Sequence, residues 1–257
     1  MSCFLSSSST LRLMLAVLFL PSILLVHARP NGLNLPRDHG RRSYATRKIA
    51  NVTVVDTPIV RAALALAEQH AQGFTYNHII RSWLFGALVV EHNATLRAAV
   101  DLEVHAVAAI LHDLGWDRLP SSPFVSADRR FEVDGAIAAR DFIRNHDDGK
   151  KWDDHRVQRV WDAIALHSQQ SIAFFKEPDV QVVAKGVLVD FEGPEFGVTK
   201  DEFVAVTREF PRDNLGSGVN ETFIWLCRTK PATTYGEFGL RHYTYQRFLL
   251  QTLLTNL

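Results

Sequence analysis

The most constraining feature of the sequence is an apolar run that ends in two adjacent polar residues, within the segment 108–117, AAILHDLGWD. Small and aliphatic residues lead without interruption into His112 and Asp113. The segment therefore predicts the end of a buried helix, with Gly115 placed where a left-handed residue would stop it. A buried imidazole or carboxylate without a partner costs several kcal/mol or shifts its pKa. A divalent metal ion would satisfy both groups; the alternative is a helix end at which His112 favours the dipole and Asp113 is solvated.

Composition limits the kinds of site that the chain can build. Its 257 residues allow one large domain or two small ones. Lys plus Arg and Asp plus Glu are both 28, so the basic excess typical of proteins that bind nucleic acid or anionic membranes is missing. Cys3 and Cys227 are the only cysteines, which excludes a disulfide scaffold and a thiolate metal cluster. A metal site must use His, Asp and Glu, and 11 His are present.

The first 28 residues have the pattern of a secretory signal peptide. The run Leu11–Val26 is almost wholly apolar and is followed by Ala28, so small residues stand where the peptidase needs them. Pro21 interrupts the run, which is short for a membrane span. We therefore predict cleavage after residue 28, secretion, and no membrane association afterwards; an uncleaved anchor is the alternative. Three glycosylation triplets, which begin at Asn51, Asn93 and Asn220, are compatible with secretion.

The remaining chain divides into an arm and a helical domain. Residues 29–56 contain Pro, Gly, Asn and a basic cluster without helical periodicity, and are interpreted as a linker or disordered arm. Thr57 and Pro58 are suited to begin the first helix. No stretch alternates with period two for long enough to predict a strand. Residues 57–257 are thus predicted to form a single all-α domain. Its expected helices are 59–72, 77–91, 97–112, 129–145, 153–167, 179–190, one begun by the capping box at 199–202, then 218–229 and 239–254.

Four polar residues at the ends of predicted helices carry a family resemblance. His78, the pair His112 and Asp113, and Asp190 follow one another in the order found in the HD superfamily of metal-dependent phosphohydrolases. More narrowly, the segments 131–136, FEVDGA, and 161–167, WDAIALH, resemble the fungal cyanamide hydratase-like branch. The resemblance implies an HD-type helical domain with one divalent metal ion, Zn or Fe. It also implies that His78, His112, Asp113 and Asp190 are the ligands, with positions left for water and substrate.

Two departures from the superfamily bear on the reaction. Members with two metals carry an extra histidine just before the Gly-Ala of the fourth helix, where this chain has Phe131 and Glu132. A second complete metal site is therefore not expected. Many phosphohydrolases also have a lysine directly after the glycine of the His-Asp run, where this chain has Trp116. An indole in place of an ammonium group removes a phosphate contact, which weakens the case for phosphoester chemistry.

Five further residues are candidates for the site, and four of them also have a structural alternative. His167, Glu132 and Asp134 are the catalytic candidates, as groups that could move protons. His167 could instead cap a helix dipole, and first-turn acids such as Glu132 and Asp134 are favourable for dipole reasons alone. Arg81 and Trp116 are the candidates for substrate binding. Arg81 could instead pair with a carboxylate, and Trp116 would line a compact apolar pocket.

These residues favour a metal-dependent hydratase or hydrolase. The predicted substrate is a small, nitrile-like molecule that reacts with a metal-activated water. The first alternative is an HD-type phosphohydrolase acting on a phosphoester or nucleotide. It would need several cations around the non-bridging oxygens, and the sequence offers Arg81, Arg118 and Lys185. The second alternative is a secreted protein that kept the fold and lost the chemistry. No nucleic-acid partner is expected.

Overall fold

The computed structural model describes residues 43–71 and 73–234. The predicted signal peptide, the arm before residue 43 and the predicted helix 239–254 lie outside these residues. Within them the elements are β1 Thr46–Ile49, β2 Val52–Val55, α1 Pro58–His70, α2 Phe74–His92, α3 Ala94–Ala99, α4 Leu102–Leu111, α5 Phe131–Asn145, α6 Asp154–Leu166, α7 Gln170–Ala173, α8 Pro178–Glu192, α9 Lys200–Glu209, α10 Leu215–Thr229 and α11 Pro231–Thr234. The described part of the chain is thus mostly helical, and none of its helices is both long and apolar enough to cross a membrane.

Two helix starts test the capping signals in the sequence. The helix α1 begins at Pro58 as predicted, although the side chain of Thr57 makes no capping hydrogen bond. At α9 the predicted capping box is confirmed. The Thr199 hydroxyl accepts a hydrogen bond from the Glu202 amide, and the Glu202 side chain accepts one from the Thr199 amide.

A β-hairpin replaces part of the predicted arm. The strands β1 and β2 pair antiparallel and are joined by Ala50 and Asn51, whose φ angles are 48° and 65°. Two consecutive positive φ angles suit the tight turns that match strand twist. Val52 and Val54 on β2 are buried, and β2 packs against α2 and α4. The prediction of an unstructured arm over 29–56 is therefore wrong for this hairpin, whose strands of four residues are too short for alternation to be recognised.

The predicted helix 97–112 is in fact two helices, α3 and α4, separated at Asp101. Its Oδ1 accepts hydrogen bonds from the amides of Glu103 and Val104, at 3.1 and 3.3 Å, so it caps α4. The same carboxylate accepts hydrogen bonds from the Tyr44 hydroxyl and from Arg156 Nε on α6, both at 2.9 Å. Asp101 therefore begins α4 and connects the start of this helix to α6 and to Tyr44.

Close helix packing determines which residues can meet at the site. A Cβ on Gly186 of α8 would clash with the Ser82 carbonyl oxygen and lie 2.9 Å from the Gly86 amide nitrogen. The backbones of α2 and α8 therefore touch, which requires glycine at this crossing. The contact places His78 on α2 beside Asp190 on α8. The helices α4 and α6 also pack together, and each ends at a histidine in the C-cap position.

A buried histidine on α4 predicts acid sensitivity. His105 is buried, its Nε2 has no hydrogen-bond partner in the described part of the chain, and burial lowers its pKa from 6.5 to about 4. Between these pH values the unfolded chain binds a proton that the folded protein excludes. The free energy of unfolding should therefore fall as the pH decreases from about 6.5 to about 4, by roughly 3 kcal/mol from this group.

The test is urea unfolding of the wild type and of His105→Leu at pH 7 and pH 4.5. The variant is expected to lose less stability between the two pH values than the wild type. His155→Leu, which changes an exposed histidine on α6, serves as the control and should keep the wild-type dependence. Equal acid sensitivity in all three proteins would contradict the prediction.

Candidate metal centre

Two histidines at helix ends are held in the same way. His112 ends α4 and contacts the Ala109 carbonyl oxygen through Nδ1 at 2.7 Å. His167 ends α6 and contacts the Ile164 carbonyl oxygen through Nδ1, also at 2.7 Å. A carbonyl oxygen can only accept, so each Nδ1 donates and each neutral ring keeps a lone pair on Nε2. Both helix ends therefore direct Nε2 to the interior.

His78, in the first turns of α2, is oriented by a carboxylate instead. Its Nδ1 lies 2.7 Å from Asp190 Oδ2. Burial would raise the pKa of Asp190, but hydrogen bonds from His78 and Arg81 outweigh it and hold the pKa below its usual value. An ionised Asp190 accepts the Nδ1 proton, and Nε2 of His78 then faces the opposite way with a lone pair. This carboxylate–histidine arrangement is typical of the partners that orient metal ligands.

The three rings and one carboxylate converge in a buried cluster. The Nε2 atoms of His78 and His112 lie 3.3 Å apart. Asp113 Oδ2 lies 3.2 Å from His112 Nε2 and 3.6 Å from His78 Nε2, and Asp113 Oδ1 lies 3.6 Å from His167 Nε2. Neither oxygen of Asp113 has a hydrogen-bond partner among the described residues. Ligand atoms of His78, His112 and Asp113 all lie within 4.8 Å of one another, so these three could hold a metal ion.

The pKa values of the cluster shift in different directions. Burial opposes protonation of His112, but the Asp113 carboxylate outweighs it and raises the pKa of His112. Burial would likewise raise the pKa of Asp113, yet His112, His78 and His167 together lower it. For His167, burial and the neighbouring His112 lower the pKa to about 4, so this ring is neutral at pH 7. A neutral imidazole beside an ionised carboxylate is the protonation state that metal ligands require.

Asp190 and Arg81 form a buried ion pair. Arg81 is buried and forms a fork on Asp190, with Nε to Oδ1 at 2.6 Å and Nη2 to Oδ2 at 2.9 Å. Its Nη1 donates to the carbonyl oxygens of Phe210 and Pro211, at 3.1 and 2.7 Å. These contacts are the carboxylate pairing that the sequence left open for Arg81, and substrate binding by Arg81 stays a prediction. Direct metal ligation by Asp190 stays a prediction.

Glu132 lies beside the cluster and is fixed by two neighbours. Arg130 donates to both of its oxygens, from Nε at 3.1 Å and from Nη2 at 2.6 Å. The hydroxyl of Ser168, the residue after His167, donates to Glu132 Oε1 at 2.5 Å. The structure thus connects Glu132 to the end of α6. Sequence reasoning missed Ser168, although a hydroxyl directly after a site histidine is a signal that could have suggested it.

Asp134, the third catalytic candidate, is held in a separate ion-pair network. Its carboxylate contacts the buried Lys230 Nζ, accepts from Arg129 Nε at 3.0 Å and accepts from the Ser126 amide at 2.9 Å. Burial would raise the pKa of Asp134, but the Lys230 and Ser126 bonds lower it. These contacts connect the loop before α5 to the chain between α10 and α11. They favour a structural role, and none of these three partners belongs to the histidine cluster.

Trp116 forms an aromatic wall next to the cluster, in the place predicted for it. Its ring stacks on His78 with centroids 6.3 Å apart, and lies 5.5 Å from the ring of Phe131 and 6.1 Å from that of Phe223. The indole N–H is buried and has no hydrogen-bond partner within the described ranges. Phe223 on α10 was not identified from the sequence, because nothing local distinguishes it from an ordinary core residue. Substrate binding by Trp116 stays a prediction.

Gly115 is required for a reason other than the predicted one. Residues Leu114–Trp116 form a 3₁₀ turn, and Gly115 does not have a positive φ. A Cβ at Gly115 would instead clash with the Phe131 carbonyl oxygen. The glycine therefore allows the turn after Asp113 to lie directly against the start of α5, which brings Phe131 and Glu132 to the cluster.

No protein-family model matches the sequence, and no curated protein matches it. The resemblance to the HD superfamily accordingly stays a prediction. The geometry of the histidine–aspartate cluster carries the functional argument.

Proposed function

We propose that the protein is a metal-dependent hydratase or hydrolase that acts on a small, largely uncharged molecule, with nitrile-like compounds as the leading class. The observation that carries this proposal is the set of three imidazole Nε2 atoms that face the carboxylate of Asp113, whose two oxygens accept no hydrogen bond from the described residues. Lone pairs and a negative charge gathered in a buried position repel one another unless a proton or a metal cation lies between them. Secretion, expected from the first 28 residues, is part of the same proposal.

The donor set fits the metal that the resemblance implies. His78, His112 and Asp113 would hold the ion, and imidazole nitrogens with one carboxylate suit Zn or Fe. When bound, a divalent ion supplies a Lewis acid and lowers the pKa of water. The carbonyl oxygen of Ala109 and the carboxylate of Asp190 hold the ligand rings in the required tautomer.

Proton transfer is assigned to Glu132 together with Ser168. Glu132 is buried, and Ser168 Oγ donates to its Oε1 at 2.5 Å, which connects the carboxylate to the residue that follows His167. Arg130 keeps the carboxylate in this orientation through two hydrogen bonds. In the proposed reaction Glu132 would take the proton that the attacking water loses and return it to the substrate atom that gains negative charge.

The surroundings of the cluster favour an uncharged substrate over a phosphoester. Trp116, Phe131 and Phe223 form an apolar wall beside His78. Arg81 and Arg130 are each engaged by a carboxylate, Asp190 and Glu132 respectively, and Arg118 donates to the Thr222 hydroxyl. Phosphoryl transfer needs cations that are free to contact the non-bridging oxygens. A nitrile needs only a nucleophilic water and one acid.

The test combines metal analysis with a substrate screen. Purified full-length protein is assayed for bound metals, then reconstituted with Zn²⁺ or Fe²⁺ and offered cyanamide, other nitriles and a panel of phosphoesters and nucleotides. We expect turnover of a nitrile, with urea as the product from cyanamide, that a chelator removes and added metal restores. His112→Ala is the matched inactive control. Phosphate release without nitrile turnover would support the phosphohydrolase instead, and absence of any bound metal would overturn the proposal.

A further inference from the structure

We propose that His167, rather than Asp190, is the fourth protein ligand of the metal centre, and that Asp190 is a positioning residue for His78. This inference rests on the proposed metal centre and deepens it. The family resemblance implies the opposite assignment, with Asp190 as a ligand. The contacts of the two residues distinguish the assignments.

The position of Asp190 is unsuited to direct ligation. Its Oδ2 contacts His78 Nδ1 at 2.7 Å, whereas His78 Nε2 is the atom that faces His112. The two nitrogens of an imidazole point in diverging directions, so an oxygen bonded to Nδ1 is separated by the ring from an ion at Nε2. The other oxygen, Oδ1, accepts from Arg81 Nε at 2.6 Å. Arg81 thereby holds Asp190 on the outer side of His78 and compensates its charge.

His167 faces Asp113 Oδ1, whereas His112 faces Asp113 Oδ2. Its Nε2 lies 3.6 Å from Asp113 Oδ1, and its ring centroid lies 4.8 Å from that of His112. The bond from Nδ1 to the Ile164 carbonyl leaves the Nε2 lone pair directed inward, as the Ala109 carbonyl does for His112. His167 lies outside the group of His78, His112 and Asp113, whose ligand atoms are all within 4.8 Å of one another. It contacts that group through Asp113. Of Asp190 and His167, only His167 presents an unused ligand atom to the Asp113 carboxylate.

The assignment has a consequence for metal selectivity. Three imidazoles and one carboxylate form a donor set richer in nitrogen than the two histidines and two aspartates of the alternative. Nitrogen donors favour Zn²⁺, Fe²⁺ and Co²⁺, whereas carboxylate-rich sites suit Mg²⁺ and Mn²⁺. Because Arg81 compensates Asp190, the ligands carry only the charge of Asp113. The centre should therefore bind Zn²⁺ and Co²⁺ and discriminate against Mg²⁺.

The experiment measures metal binding rather than turnover. Metal-depleted full-length protein is titrated with Zn²⁺ against a competing chelator, and the visible spectrum of the Co²⁺ form is recorded. The variants are His167→Gln, Asp190→Asn and, as control, His92→Gln, which changes a partly exposed histidine at the end of α2. We expect His167→Gln to weaken Zn²⁺ binding more than about 100-fold, and Asp190→Asn to weaken it by about 10-fold, as an outer partner does. The Co²⁺ spectrum of His167→Gln should differ from that of the wild type, and the spectrum of Asp190→Asn should match it.

A second measurement on the wild type keeps the test independent of whether the variants fold. X-ray absorption of the Zn²⁺ form distinguishes three imidazole ligands from two, because imidazole rings give a characteristic outer-shell scattering. Three imidazoles support the assignment. Two imidazoles, or loss of the Co²⁺ spectrum in Asp190→Asn but not in His167→Gln, would overturn it while leaving the metal centre in place. A wild-type protein that binds neither ion would overturn the centre itself.

Discussion

Replacing His112 with alanine is expected to abolish stoichiometric metal binding and to lower the free energy of unfolding by about 3–5 kcal/mol. His112 is the only residue of the cluster that contacts both His78 Nε2, at 3.3 Å, and Asp113 Oδ2, at 3.2 Å, among the residues that the structure describes. Its removal takes away one ligand and leaves the Asp113 carboxylate buried without its nearest compensating group. Loss of a buried partner is costly because the remaining charge stays desolvated.

Metal content by elemental analysis and urea unfolding of the variant would check this prediction. The control is His92→Ala, because His92 is partly exposed and pairs with Glu202 at 2.8 Å near the surface. Such a pair contributes at most about 1 kcal/mol, so the control should keep both its metal and its stability. Metal bound at wild-type stoichiometry in His112→Ala would contradict the assignment of the centre. Both proteins should also be unfolded after chelation, which separates the lost ligand from the lost metal.

The sequence predicts long amphipathic elements well and short ones poorly. The helices α2 and α8 repeat apolar residues over several turns, and both form close to the predicted bounds. The hairpin of β1 and β2 escaped prediction because each strand has four residues, and its burial depends on contacts with α2 and α4. The break at Asp101 was missed although its capping bonds, to the amides of Glu103 and Val104, are local. Its bonds to Tyr44 and Arg156, which are distant in sequence, could not be predicted.

In the candidate site, too, features with a local sequence signal could be predicted, and features that depend on distant residues could not. His112 and Asp113 could be found because a polar pair at the end of an apolar run is a local signal. The sequence could not predict that Asp190 contacts Nδ1 of His78. The hydrogen bonds between Arg81 and Asp190 hold the carboxylate there, and these two residues are 109 positions apart. Residue type alone makes an aspartate a possible ligand. Whether it binds the ion or orients a histidine depends on the neighbour that occupies its other oxygen.

Asp134 shows the same limit and leads to the second large expected effect. The sequence leaves Asp134 as a catalytic candidate or as a favourable first-turn acid of α5, and the structure surrounds its carboxylate with Lys230, Arg129 and Ser126. Lys230 is fully buried, and its Nζ also donates to the Arg129 carbonyl oxygen at 2.9 Å. Replacing Lys230 with methionine is expected to lower the free energy of unfolding by about 3 kcal/mol. The reason is that Asp134 would stay buried beside the partly exposed Arg129 alone as its cation.

A double-mutant cycle distinguishes this structural role from catalysis. Asp134→Asn together with Lys230→Met removes both charges, so the double variant should be more stable than Lys230→Met in urea unfolding. If Asp134 only holds the loop before α5, the double variant should also keep near wild-type kcat on any substrate that the wild type turns over. A double variant that regains stability but loses turnover would instead make Asp134 a catalytic residue. Stability and kcat must therefore be measured on the same four proteins, since either quantity alone leaves the two roles indistinguishable.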